Sequence, residues 1–160
     1  MNNERKWILR GGRVLNPAPF CLIGIVNVTP DSFSDGGKYI DPRNAVAHGL
    51  RLLDEGAGML DLGAESTRPF AEPVPEGEEI ARLMPVVARL REQRPDAVLS
   101  VDTLKAGTAR AALEGGADII NDVSACVADP ALLDVLAEYK PGYVLMHSQG
   151  SPREMQVNPR

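Results

Sequence analysis

Five short apolar runs in this sequence each end in polar residues at the same place. Asn27 follows "CLIGIV", and Asp61 sits in "MLDLG" just ahead of "ESTRP". Asp102-Thr103 close "VLSVDT", Asn121-Asp122 close "ADIIND", and His147-Ser148 close "YVLMHS". Asp accepts paired N–H donors, while Asn donates and accepts together. Carboxylates and carboxamides with a single strand-end His and one loop guanidinium, Arg68, therefore suit a flat heterocycle with several N–H and C=O edges. Nucleophilic catalysis gains no support, because there is no Ser-His-Asp order and no Cys at the end of a run. Asp122 and Ser124 can equally cap the helix after their strand, a common use of these residue types, and no chemistry is assigned to them. The segment "NVTPDSFSDGG", residues 27–37, adds the oxygens of Asn27, Thr29, Asp31, Ser32, Ser34 and Asp35. These could help to hold hydrated Mg2+, an ion that prefers oxygen ligands and usually brings phosphates with it; "SDGG" alone reads as a turn.

Such residues need a frame that brings strand ends together. The runs alternate with segments of helical character. Val46, Leu50 and Leu53 recur at helical spacing in 43–55, and Ile80, Leu83, Val87 and Leu90 form one stripe in 76–94. Residues 105–115, rich in Ala, and 130–139, with Leu132, Leu133 and Leu136, supply two further helices. Pro85 interrupts the second stripe and is expected to start a new helical turn or kink the element. Almost wholly apolar strands alternating with helices indicate a parallel sheet covered by helices. Neither G-x-G-x-x-G after the first strand nor G-x-x-x-x-G-K-[ST] occurs, so a nucleotide-binding doubly wound sheet loses ground to a (β/α)8 TIM barrel. In that fold all strand C-termini open on one face, where the site lies. Ahead of it, "WILRGGRVLN" reads as two short strands around a two-residue Gly11-Gly12 turn, an end-cap or lid spanning 1–19 with its lead-in.

Composition narrows the partners. A chain of 160 residues carries a net charge of −5 and a pI near 5.1, without a Lys/Arg cluster. That argues against nucleic acid and anionic membrane surfaces. No apolar run approaches the roughly 18 residues that cross a bilayer, and the start lacks the apolar core of a signal peptide, so a cytoplasmic protein is expected. Cys21 and Cys126 form no CxxC pair and are expected to be buried free thiols.

The motifs "GIVNVTPDSFSDGG", "DLGAESTRP", "SVDT", "ADIINDVS" and "LMHSQGSP", in that order, resemble the dihydropteroate synthase family from about residue 20 onward. The resemblance implies a (β/α)8 barrel of folate biosynthesis and a sulfonamide target. Its members join 6-hydroxymethyl-7,8-dihydropterin diphosphate to 4-aminobenzoate and release pyrophosphate, with Mg2+ as cofactor. It implies that Asn27 contacts the metal and diphosphate, and that Thr67 and Arg68 belong to a loop closing over diphosphate and aminobenzoate. Asp102 and Asn121 would bind the pterin, with Met146 lining its pocket. Phe33 and Asp35 would lie in the first loop, at the aminobenzoate pocket; Arg68 and Asp35 are the catalytic candidates. The implied chemistry needs no protein nucleophile, since Mg2+ and a guanidinium can stabilise the departing diphosphate while the pterin shares the positive charge left behind. His147 is read as a hydrogen-bonding orienter, and His48 as a surface or packing residue. For Asp61, orienting the second loop and bonding neighbouring backbone both remain open.

The sequence departs from the family at Ala125-Cys126, where glycine is frequent, and at Ser148, where Met is frequent. It also ends at "NPR", after its fifth run, whereas a (β/α)8 barrel takes roughly 250 residues. The family's strand-end Lys, Arg-x-His and further Asp therefore cannot be assigned. The expectation is a barrel truncated after its fifth strand (residues 20–160), inactive by itself, with sheet edges that a homo-oligomer could cover. Two other readings stand beside the synthase: a pterin-binding methyltransferase acting on methyltetrahydrofolate, and a non-catalytic fragment that binds pterin or a partner protein.

Overall fold

A computed structural model of the chain describes residues 6–29, 41–65 and 73–146. Its elements run β1 (Trp7–Ile8), β2 (Val14–Leu15), β3 (Ile23–Asn27), α1 (Pro42–Asp54), β4 (Met59–Gly63), α2 (Glu76–Gln93), β5 (Leu99–Asp102), α3 (Ala106–Glu114), β6 (Ile119–Asp122), α4 (Leu132–Tyr139) and β7 (Gly142–Leu145). The last five strands form one parallel sheet in the order β3-β4-β5-β6-β7. Spatial order equals chain order, so every crossover steps the same way. With right-handed crossovers this puts all the helices on one face. A doubly wound sheet would reverse its order at a switch point. The sheet is instead an arc of a (β/α)8-type barrel, as the alternation of runs implied.

Strand alternation decides which residues hold the layers together. Val26, Leu60, Leu62, Leu99, Val101 and Ile120 point to the helices and are fully buried, against Leu83, Val86, Val87 and Leu90 of α2 and Ala109 and Ala112 of α3. Glycine lets α1 approach closely: a Cβ on Gly24 would lie 2.8 Å from Leu60 Cδ2 and 3.0 Å from Leu52 Cδ1. α1 starts where expected, with Asp41 accepting from the Arg43 N–H at 2.9 Å and Pro42 in the first turn.

On the other, inner face, β1 and β2 close the N-terminal end of the sheet. Leu9 and Leu15 pack there with Met59, Val98 and Ile119, flanked by Trp7 and Cys21. A charged bolt fixes this cap from outside. Buried Asp118 receives Arg13 Nε at 3.0 Å, Arg91 Nη2 at 2.9 Å and the Leu99 N–H at 3.0 Å, tying hairpin, helix and strand together.

Three local expectations are corrected. The hairpin turn holds three residues, Arg10–Gly12, because Leu9 pairs with Arg13 (N–H to O, 2.8 Å); Gly11 and Gly12 take the positive φ that the reversal requires. α2 runs through Pro85 as one element rather than starting anew there, and Pro85 and Ala81, whose carbonyl loses its donor, both face solvent, where the carbonyl is open to water. Cys126 is buried as expected, but Cys21 is only half-buried; both are free thiols.

Candidate functional site at the strand ends

At the C-terminal end of the inner face one rung of the ladder carries Asn27, Gly63, Asp102, Asn121 and Val144 side by side. The rung beneath it, two residues earlier on each strand, carries Ile25, Asp61, Ser100, Ile119 and Gly142. Three residues expected at the site thus share one row, and alternation from Val144 brings Met146 to the same face. Gly63 keeps the row open beside Asp102, since an added Cβ would meet only the Asp102 carboxylate, 3.8 Å away, and a backbone carbonyl. The Asn27 side chain is exposed and makes no hydrogen bond among the described residues. Phe33, Asp35, Thr67, Arg68 and His147 lie outside the described residues.

Among the described residues Asp61 bonds no nearby backbone but two side chains on neighbouring strands, while the second loop lies outside the described residues. Its Oδ1 accepts from Ser100 Oγ at 2.6 Å and its Oδ2 from Asn121 Nδ2 at 2.9 Å, so one carboxylate crosses two strands to reach a residue of the upper rung. Asp102 has no such donor among the described residues. Burial, and then the charges of Asp61, Glu79, Asp122 and Glu65, push its carboxyl up to about 7. Near neutral pH it changes between an acceptor and a group that can also donate.

A second cluster holds the segment leading from β4. Lys105 Nζ bonds Glu65 Oε2 at 2.7 Å and the buried Glu79 Oε2 at 2.5 Å, while Arg82 Nη1 donates to the Ala64 carbonyl at 2.9 Å. Burial alone would lower the Lys105 ammonium; the bonds to Glu65 and Glu79 outweigh it and raise its pKa. Residues 64 and 65 therefore leave the sheet from a fixed point. The sequence reading missed Ser100, Glu65, Glu79 and Lys105. A signal for Glu79 existed: it stands four residues before Leu83 on an apolar helical stripe, where an unpaired charge does not belong.

Asp122 points to the opposite face and holds the turn after β6. It accepts from Ser124 N–H and Oγ, both at 2.7 Å, from Cys126 N–H at 2.6 Å and from Tyr143 Oη at 2.9 Å. These bonds overcome burial and lower its pKa, whereas burial, with Cys126 and Asp122 beside it, raises that of Tyr143. The expectation that Asp122 and Ser124 cap the next helix is corrected: they shape this turn, and the N-cap of α4 is Ala131. In that turn Ala125 and Cys126 have φ of 54° and 62°, the left-handed region that favours glycine.

Among the described residues no group of three His, Cys, Asp or Glu could hold a metal ion, and no helix is long and apolar enough to cross a membrane.

Residues 23–160 match the family model described as pterin binding enzyme. The chain is 50% identical over 130 residues to the dihydropteroate synthase of Mycobacterium leprae, covering 81% of this chain and 45% of that protein. The structure superposes with a TM-score of 0.80 on Xanthomonas albilineans dihydropteroate synthase with 4-aminobenzoic acid, at 48% identity, over 91% of this chain and 54% of the other. For Yersinia pestis dihydropteroate synthase in a sulfonamide drug complex the TM-score is 0.84 at 41% identity, over 98% and 55%. The chain thus spans about half the length of the curated relatives it matches.

Proposed function

Because the chain belongs to the pterin-binding enzyme family, we propose that it carries part of a dihydropteroate synthase: the wall that reads the pterin and the point where the diphosphate is held. The observation that supports this most is the single rung bearing Asn27, Asp102 and Asn121 on an inner face closed from below by the hairpin. The substrates in this reading are 6-hydroxymethyl-7,8-dihydropterin diphosphate and 4-aminobenzoate, and sulfonamides would compete with the latter. Asp102 and Asn121 present an acceptor and a mixed donor-acceptor to the flat edge of the pterin. Met146 adds an apolar wall beside them. Thr67, Arg68, Phe33 and Asp35 are assigned by resemblance to the diphosphate and aminobenzoate end.

Asn27 fits an Mg2+ ion that keeps most of its ligands as water and phosphate oxygens, since it offers one exposed carboxamide oxygen and, among the described residues, no carboxylate cage stands beside it. When bound, the ion would neutralise charge on the departing diphosphate. The chain's own contribution is to orient: the rung fixes the pterin, so the methylene carbon meets the amine while water is excluded. A cytoplasmic enzyme agrees with two free thiols. A homo-oligomer covering the sheet edges remains part of the proposal.

The test is pyrophosphate release from the pterin diphosphate with 4-aminobenzoate, by this chain and by a version extended to the length of its relatives. The extended protein should make dihydropteroate. If it makes none while binding methyltetrahydrofolate tightly, the methyltransferase reading replaces this one.

A further inference from the structure

A carboxamide reads a ligand only if its two ends are the right way round, and turning it over exchanges donor for acceptor. Asn121 stands in the upper rung with its Nδ2 committed to Asp61 Oδ2 at 2.9 Å. Its Oδ1, on the far side of the planar amide, accepts no hydrogen bond from any described residue. Asp61 is itself held, because Ser100 Oγ donates to the other carboxylate oxygen at 2.6 Å. The acceptor-only carboxylate is what determines the orientation: turned over, Asn121 would set its Oδ1 against Asp61 Oδ2. The reversed amide would lose a charge-assisted hydrogen bond and set two acceptors against each other, so it would be a minor state.

We propose that Asp61 is a positioning residue for the strand-end site, fixed by Ser100 and acting through Asn121, whose Oδ1 it leaves facing the bound heterocycle as an acceptor for a ring or exocyclic N–H. This rests on the pterin-binding reading above. Three side chains from three neighbouring strands, Asp61, Ser100 and Asn121, then form one relay whose function is orientation. Asp61 touches no ligand in this scheme.

The relay makes a distinction between two substitutions of Asp61. Asp61→Ala removes the acceptor and frees the amide to turn. Asp61→Asn leaves the relay available, because a carboxamide can accept from Asn121 Nδ2 with its oxygen and donate to Ser100 Oγ with its nitrogen; the reversed pair is bonded equally well, so the competent arrangement is about half populated, a cost of about twofold. With the chain as it stands and 6-hydroxymethylpterin as probe, D61A should weaken binding about tenfold, while D61N stays within about twofold of the parent. The Asn121 side-chain amide gives a readout that mere loss of stability would not move. In the parent chain its proton bonded to Asp61 should resonate downfield and exchange slowly, a signature lost in D61A and partly restored in D61N. Equal affinities for D61A and the parent, equal losses in D61A and D61N, or an Asn121 amide indifferent to D61A would each overturn the proposal. If D61A does not fold, Ser100→Ala, which frees the carboxylate, should give a smaller loss and a partly broadened Asn121 signal, and no change in either would overturn it too. If the parent chain binds no pterin but its Asn121 amide responds as described, the functional reading fails while the relay stands.

Discussion

Asp102 holds its proton to about 7 in the folded chain, against 3.8 for an ordinary Asp. Between those values the folded state binds more protons than the unfolded one, so this residue makes stability fall as pH rises from about 4 to about 7 and then level off. Asp102→Asn removes that slope. Its gain over the parent should be larger at pH 8 than at pH 5, by on the order of 2 kcal/mol, measured by urea unfolding at both values; an equal gain at the two pH values would contradict the assignment. Asn27 leads to a different expectation, since its side chain is exposed and unbonded among the described residues. Asn27→Ala in the extended protein should weaken Mg2+-dependent diphosphate binding while changing stability by less than about 0.5 kcal/mol, and titration calorimetry with and without Mg2+ checks both. Asn27, Asp102 and Asn121 were legible in the sequence because each ends an apolar run, and the end of a strand is a place that pattern alone can find. The partnership of Asp61 was not, because it depends on register: Asp61 stands opposite Ser100, and Asn121 is reached only through the next strand.

Elements anchor the loops as well as the core. Lys105, just ahead of α3, stands between Glu65 after β4 and Glu79 in α2. Removing the cation leaves Glu79, which is 1% exposed, as an unpaired buried charge. Lys105→Met should therefore cost about 3 kcal/mol in denaturant unfolding, and adding Glu79→Gln should recover much of it. At the opposite end of the sheet, Gly142 begins β7 under the hairpin, where a Cβ would come within 2.7 Å of Leu9 Cδ2 and 3.0 Å of Trp7 Cζ2. Gly142→Ala should cost about 1–3 kcal/mol and shift the fluorescence of Trp7, the single tryptophan. Helices and strands were readable from period and length, with helix bounds off by up to two residues and strand bounds by up to three. The hairpin's place was not readable, because nothing in "WILRGGRVLN" says that it packs on Ile119 and Gly142, more than a hundred residues away.

For the whole molecule, the order of strands is the informative fact. Alternating runs indicated a singly wound arc, and the ladder β3-β4-β5-β6-β7 is one. What the sequence could not convey is how firmly the cap is tied to that arc. Asp118 links Arg13 to Arg91 and to the Leu99 N–H, and Arg10 Nη1 donates to the Leu113 carbonyl at 2.7 Å. Hairpin and sheet should therefore unfold together, with Trp7 fluorescence and far-ultraviolet circular dichroism giving one midpoint. Separate midpoints would show the cap to be an independent unit.

The same anchoring sets a timetable for synthesis. Because neighbours in the sheet are neighbours in the chain, each βα unit can dock on the one before it soon after leaving the ribosome, and little entropy is spent closing long loops. The hairpin is the exception. It precedes every strand of the sheet, yet its floor, begun by Met59 and Val98, is completed only by Ile119 and Gly142, near the far end of the described chain. A segment made ahead of the sheet is thus among the last to find its full place, and until β6 and β7 arrive Trp7, Leu9 and Leu15 are apolar side chains only partly covered, a stretch of the nascent protein on which a chaperone would act.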